Sequence, residues 1–514
     1  MIDESFFPYG QSDFESIRRD KQFFVDNTAY IREFEKFRFQ CFTRPPRWGK
    51  SLLTQIMSFY YDNATTPEEW DTLFGGAHEL AIHKNPTELR GHFQVLELDF
   101  STASDAGSVE KMNALLTKHI NDECVAFGGK YGYNISTDMI ETDPELIYYD
   151  ETDAMFTLTR LGRAVHARGE KLYLIVDEYD RYANVCLLDR EDVDSDGYKK
   201  AVIDMDGPIK RFFSTLKSLE RKGYISRLFV TGLLRLAISD AYASNGVQLT
   251  SADRAVGAAL GYTSKEVERA VSMLELGATV EERQRFEEQA LDLIKTYFKG
   301  YRFPGVDDDG LYCPQLCNKV FIRLCDEKNW VSLDDKDPDC FWKKLAPKVI
   351  MRMLGDEASD PSGAGVRLLA RLPEATKELR LLSEGPVEFD SSILQSRGKL
   401  SGLLAAGKAG RLGRMTTATG SVSDRREAAL SFMFDQGLVT RGLRKNTLVF
   451  SNAVAEVCVN QTILPQSKKV RLRKYRNRAA VFATTVATTF VATFREPIMK
   501  KLTLLLKSRG WLWG

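Results

Sequence analysis

Histidine is scarce in this chain and paired cysteines are missing. Five histidines are spread over 514 residues, and His78, His83, His92, His119 and His166 form no ligand pattern. The eight cysteines, Cys313, Cys317, Cys325 and Cys340 among them, lack the short paired spacing of a zinc site. Their irregular distribution points instead to reduced thiols in an intracellular compartment, cytoplasmic or nuclear. Net charge is absent as well: 71 basic residues balance 71 acidic ones, so overall charge names no partner. The start, "MIDESFFPYGQSDFESIRRD", is acidic and has no apolar core of signal-peptide length, which argues against secretion. Long hydrophobic runs are wanting too. "AAVFATTVATTFVATF" (479–494) is shorter than the roughly 18 residues of a spanning helix and carries five threonines. It reads as a buried or poorly ordered segment, with a membrane anchor as the alternative. "DVDSDG" (192–197) begins like a calcium loop, yet Ile203 stands where the bidentate glutamate belongs.

What is present begins with four apolar runs rich in aromatic and β-branched residues: "RFQCFT" (38–43), "QVLELDFS" (94–101), "KLYLIVDEYD" (171–180) and "SRLFVTG" (226–232). Helical patterns separate them. Leu52, Leu53, Ile56, Met57 and Tyr60 share one face, as do Ile209, Phe212, Phe213, Leu216 and Leu219. Strands alternating with helices predict an α/β fold with a parallel sheet covered on both faces.

The first strand runs into "TRPPRWGKSLL". A phosphate-binding loop needs backbone N–H groups converging at a helix N-terminus, a lysine for the β/γ oxygens and a hydroxyl able to ligate magnesium. Gly49, Lys50 and Ser51 supply these, and Leu52 continues the first helical turn. Arg44 takes the place of the usual first glycine, and Pro45 and Pro46 offer no N–H. The cradle must therefore lean on the amides from Arg47 through Trp48 to Ser51, with Arg44 or Arg47 adding guanidinium contacts to a phosphate.

The strand "LYLIVDEYD" ends in two consecutive acids. Asp177 is placed to join Ser51 in a magnesium shell, and Glu178 to activate water against a γ-phosphate. Thr231, at the tip of the intervening strand "LFVTG", fits a sensor of that phosphate, and Arg235 a charge-stabilising arginine. Equally, both are residues that any strand-to-loop turn would carry.

Assembled in this order, the motifs resemble the AAA-ATPase-like family of P-loop proteins over about Pro8 to Leu464. "TRPPRWGKSLL" is similar to the family's "RPRRFGKSL" loop, so Arg-Pro in place of the first glycine is the family's own variant. "PYGQSDF…FFVDNTAYI", "VDEYD", "FFSTLKS", "FVTG", "YFKGYRFPG…LYCPQL" and "ALSFMFDQGLVT…LVFSNAVAEV" match in order, with Cys313 where asparagine is usual. The resemblance implies ATP and Mg2+ as cofactors and hydrolysis driving a conformational switch. Relatives often continue into a restriction-endonuclease-like nuclease. After Leu464 this chain has one acid, Glu496, against about twelve lysines and arginines, so nuclease activity is not expected.

The expected layout is an N-terminal segment (1–36), an ATPase core (37–250), a helical lid region (251–330) and a mixed, winged-helix-like region (331–466) with a glycine-rich basic loop (396–424). A basic tail (467–514) follows. Two functions remain open: a Mg-dependent ATPase, or a nucleotide-gated interaction protein with little hydrolysis. Its partner would be a protein, or nucleic acid bound by the tail and winged-helix-like region.

Overall fold

The computed structural model of the chain describes residues 4–103, 109–138, 143–181, 199–204, 206–233, 247–275, 279–325 and 373–389. It also describes shorter stretches at 426, 429–431, 433–434, 438–444, 446–451, 455–456, 459–460 and 464. The four apolar runs form strands. β1 (Phe39–Thr43) and β2 (Gln94–Asp99) come first, then the short pair β3 (Ile135–Ser136) and β4 (Ile147–Tyr148), then β5 (Leu172–Asp177) and β6 (Arg227–Gly232). With β7 (Gln248–Leu249), the strands β1, β2, β5 and β6 make a five-stranded sheet in the order β2-β5-β6-β1-β7. Every pairing in it is parallel.

Every residue of β5 is buried. A strand dry on both faces does not alternate, which is why Leu172 to Val176 read as a continuous apolar run. The flanking helices bury the faces that their spacing predicts. Helix Pro208–Arg221 hides Ile209, Phe212, Phe213, Leu216 and Leu219. Helix Lys50–Tyr61 hides Leu53, Ile56, Met57 and Tyr60, with Leu52 partly covered. Each such apolar side chain contributes roughly 1.5–3 kcal/mol relative to exposure.

Beyond the sheet, helices Ser264–Met273, Val280–Phe298 and Pro314–Cys325 form the helical region. Thr263 begins the first of them, its amide donating to Glu266 Oε2 at 2.7 Å. The N-terminal segment packs into this region: Phe7 lies 5.1 Å from Phe321, and Phe23 lies 5.9 Å from Tyr262. A hairpin of β8 (Lys299–Tyr301) and β9 (Leu311–Tyr312) separates the second and third helices. Last, helix Pro373–Glu384 packs against an antiparallel sheet of β10 (Val387–Glu388), β11 (Val439–Arg441) and β12 (Thr447–Phe450), ordered β10-β12-β11. The winged-helix-like region expected over 331–466 lies only partly within the described residues. Residues 331–372, the loop 396–424, the acidic insertion 192–197 and the tail 467–514 lie outside the described residues. Among the described residues, no helix is long and apolar enough to cross a membrane.

Candidate nucleotide site

The sheet order decides which side chains meet. β1 and β5 are not neighbours, because β6 runs between them and pairs with both. Their C-terminal ends still open onto one place, where a parallel sheet offers a ligand crevice.

β1 ends at Thr43, and the chain turns through Pro45 and Pro46 into helix Lys50–Tyr61. Two left-handed residues shape the turn: Arg47 at φ 70° and Gly49 at φ 82°. Alternation of hand along successive residues bends backbone N–H groups into an anion-binding concavity. The first intrahelical bond runs from Leu53 N to Gly49 O at 3.0 Å. The amides from Lys50 to Leu52 therefore have no helical partner and carry the positive end of the helix dipole. A Cβ built on Gly49 would meet nothing within 4 Å, so glycine is needed there for its φ and leaves the mouth open.

Lys50 Nζ donates to Pro45 O at 3.1 Å, which folds the ammonium back over its own loop. Burial lowers its pKa, opposed by the charges of Asp177, Glu178 and Asp180. The Ser51 hydroxyl lies close enough to the Asp177 carboxylate to oppose the rise of its pKa. Lysine, hydroxyl and acid pair therefore share one cluster. Asp177 is 7% exposed. Burial pushes its carboxyl up to about 6, with the charge of Asp99 adding and the Ser51 hydroxyl and Lys50 opposing. Glu178 is pushed to about 7 by burial and by Asp177, with Lys50 and Arg181 opposing. It also sits at φ 48°, a strained conformation for a residue with a side chain.

Three expected residues are engaged differently. Arg44 is 2% exposed. Its guanidinium donates to Thr43 O (3.0 Å), Val256 O (3.1 Å) and Gly257 O (2.9 Å) and lies between the rings of Phe42 and Phe303. Trp48 is fully buried against Tyr301 and Phe303, both at 4.9 Å between centroids. Neither side chain is turned to a phosphate: an arginine and an indole fill the space behind the loop and clamp it to the helical region. Thr231 is fully buried, and its hydroxyl donates to Phe42 O at 2.7 Å, tying β6 to β1 rather than facing a ligand. Arg235 lies outside the described residues.

Two further acids belong to the cluster. Asp180 is 2% exposed and takes the Leu233 amide with both carboxylate oxygens at 3.1 Å. Asp99 ends β2 in register with Asp177. An apolar strand closing on an acid, as in "QVLELDF", is the same signal that identified Asp177 and would have found it.

A parallel sheet with this loop, followed by a helix and faced by an acid-tipped strand, defines a P-loop protein of an ATP-binding class. Residues 8–242 match the family described as "Predicted AAA-ATPase" (AAA-ATPase_like). No curated protein matches the sequence. Solved structures that align with it include the ORC2 protein of Aeropyrum pernix in ADPNP–ADP complexes, at 13% identity over 88% of this chain and 93% of that one, TM-score 0.33. The ADP form of the same protein aligns at 14% identity over 90% and 98%, TM-score 0.30. Cdc6p of Pyrobaculum aerophilum aligns at 10% identity over 91% and 98%, TM-score 0.29.

Proposed function

We propose that this protein binds ATP with Mg2+ at the loop 44–52 and hydrolyses it, using the change in occupancy to switch between conformations. The observation that carries this reading is the gathering of Lys50, Ser51, Asp177 and Glu178 within electrostatic reach of one another where the left-handed Gly49 opens the helix. Hard oxygen donors from a loop hydroxyl and a strand-end acid fit a magnesium ion, and Ser51 and Asp177 would hold it. When bound, the ion supplies charge neutralisation at the phosphate oxygens. The amides from Gly49 to Leu52 hold the phosphates, and Lys50 meets the β/γ oxygens by leaving Pro45. Glu178 takes the proton of the attacking water, a role suited to a carboxyl tuned to about 7. Asp99 and Asp180 keep the site acidic.

The test is MgATP binding and phosphate release by the purified chain. Lys50→Ala should abolish binding. Glu178→Gln should retain binding and slow release about 100-fold or more. Unchanged release in both variants would sink the hydrolase reading.

A second reading, binding with little turnover, is favoured by the Thr231 hydroxyl, which is committed to Phe42 O. It predicts equal binding and equally negligible release by the unaltered chain and by Glu178→Gln. Association with nucleic acid through the late helix-and-sheet unit and the basic tail would show as affinity falling steeply with salt.

A further inference from the structure

The β8–β9 hairpin touches the nucleotide loop on one side and the C-terminal sheet on the other. Toward the loop, Phe303 stacks under the Arg44 guanidinium at 4.2 Å and meets Trp48 edge-on. Cys313, next after β9, donates its thiol to Arg47 O at 3.5 Å. Segment 254–257, which accepts from Arg44, is pressed against the same hairpin. A Cβ on Gly257 would stand 1.8 Å from Pro304 O. Toward the C-terminal sheet, Arg302 N donates to Thr440 Oγ1 at 2.6 Å, and Thr440 Oγ1 also reaches Arg302 O at 3.3 Å. Gly300 passes so close to Ser451 O that a Cβ would stand 2.2 Å from it. Phe303 is common to both sides, since its ring also lies 6.1 Å from Phe434 at 89°.

One group in this junction is unsatisfied. The indole N–H of Trp48 is buried and has no acceptor among the described residues. A buried donor without a partner destabilises the arrangement that holds it, so a small shift of the loop that supplies an acceptor is favoured. Packed interfaces respond to such shifts by moving between discrete arrangements rather than deforming continuously.

We infer that the hairpin couples the nucleotide loop to the C-terminal sheet. Arg44 and Trp48 are positioning residues that set the loop from behind, and the Thr440 contact tunes nucleotide affinity from outside the site. This rests on the nucleotide-binding reading above. Linkage makes the coupling reciprocal: what binds or displaces the C-terminal sheet alters nucleotide affinity by the factor with which nucleotide alters that event. The occupant of the loop is thereby reported to a surface built late in the chain.

The experiment uses the full chain, with MgATP as the probe. Thr440→Val removes the hydroxyl that receives the Arg302 amide and keeps the side-chain volume. Affinity measured by calorimetry should fall about five- to tenfold, and Thr440→Ser should restore it. Unaltered affinity in Thr440→Val would overturn the coupling. Hydrogen exchange on the unaltered chain gives an answer even if that variant folds poorly. Saturating MgATP should slow exchange at Arg302 and at 439–441 by about threefold or more, and no change there would equally overturn it. Failure of the unaltered chain to show Lys50-dependent MgATP binding would instead remove the nucleotide reading, and the coupling with it.

Discussion

Asp180 receives the backbone amide of Leu233 with both of its carboxylate oxygens, at 3.1 Å each. The acid closes "VDEYD", and the amide begins the segment that leads to Arg235. Gly232, between them, has no room for a side chain: a Cβ would stand 2.4 Å from Asp180 Oδ1 and 2.7 Å from the Tyr179 ring. Gly232→Ala should therefore destabilise the protein by about 1–3 kcal/mol through overpacking. Asp180→Ala should cost a similar amount, about 1–3 kcal/mol, by leaving the amide unpaired. Denaturant unfolding of the two single variants and the double variant checks this. Strong non-additivity is expected because both changes break one contact.

The acids of the site make a pH prediction. Asp177 and Glu178 are held above their ordinary values of 3.8 and 4.5, at about 6 and about 7, chiefly by burial. The folded chain therefore holds these protons more tightly than the unfolded chain does. Stability from these groups is present at low pH and is lost as pH rises from about 4 through about 7. Asp177→Asn, which cannot ionise, should be more stable than the natural chain by about 2 kcal/mol at pH 8, with the difference vanishing near pH 4. Paired unfolding curves at the two pH values read it out. Phosphate release should run the other way, rising between pH 6 and pH 8 as Glu178 ionises.

Much of this was legible in the sequence because the information is local. The four principal strands follow from apolar runs, the helix faces from spacing, and the loop from "GKS" between a strand and a helix. The acid pair is legible because "LYLIV" leads straight into it. β7 is not legible, since Gln248–Leu249 is too short to show a period. Arg44 and Trp48 mislead for another reason. Standing in a phosphate loop, they look like ligand contacts, but their roles are set by carbonyls and rings more than 200 residues onward, at Val256, Gly257, Tyr301 and Phe303. Asp99 carries the same local signal as Asp177, an apolar strand closing on an acid, but its place beside Asp177 comes from the pairing of β2 with β5.

Arginine at position 44 should not be replaceable by lysine. The guanidinium fork reaches Thr43 O through Nη1 and Val256 O and Gly257 O through Nη2, while its plane lies between two rings. An ammonium is a single point that cannot serve Thr43 O and the Val256–Gly257 carbonyls together, nor stack. Arg44→Lys should lower stability by about 1–3 kcal/mol, the carbonyls losing charge-assisted partners in a buried setting. A change under about 0.5 kcal/mol in denaturant unfolding would show that the clamp is not arginine-specific.

Gly49 separates loop conformation from loop space. Its φ of 82° is unfavourable for alanine by roughly 1–2 kcal/mol, yet nothing lies within 4 Å of the missing Cβ. Gly49→Ala therefore has two outcomes open to it. If the residue keeps its left-handed φ, stability falls by that small amount, and nucleotide binding falls only as far as the methyl crowds a phosphate. If it relaxes to a right-handed φ, the strain disappears and the amides of Lys50 and Ser51 swing away from the concavity. The bond from Leu53 N to Gly49 O anchors the helix start and favours the first outcome. Unfolding should thus show a loss of about 1–2 kcal/mol, with MgATP affinity reduced but measurable. Full stability with abolished binding would mean that the loop has flipped, and that its shape is held by glycine alone rather than by Arg44 and Trp48 behind it.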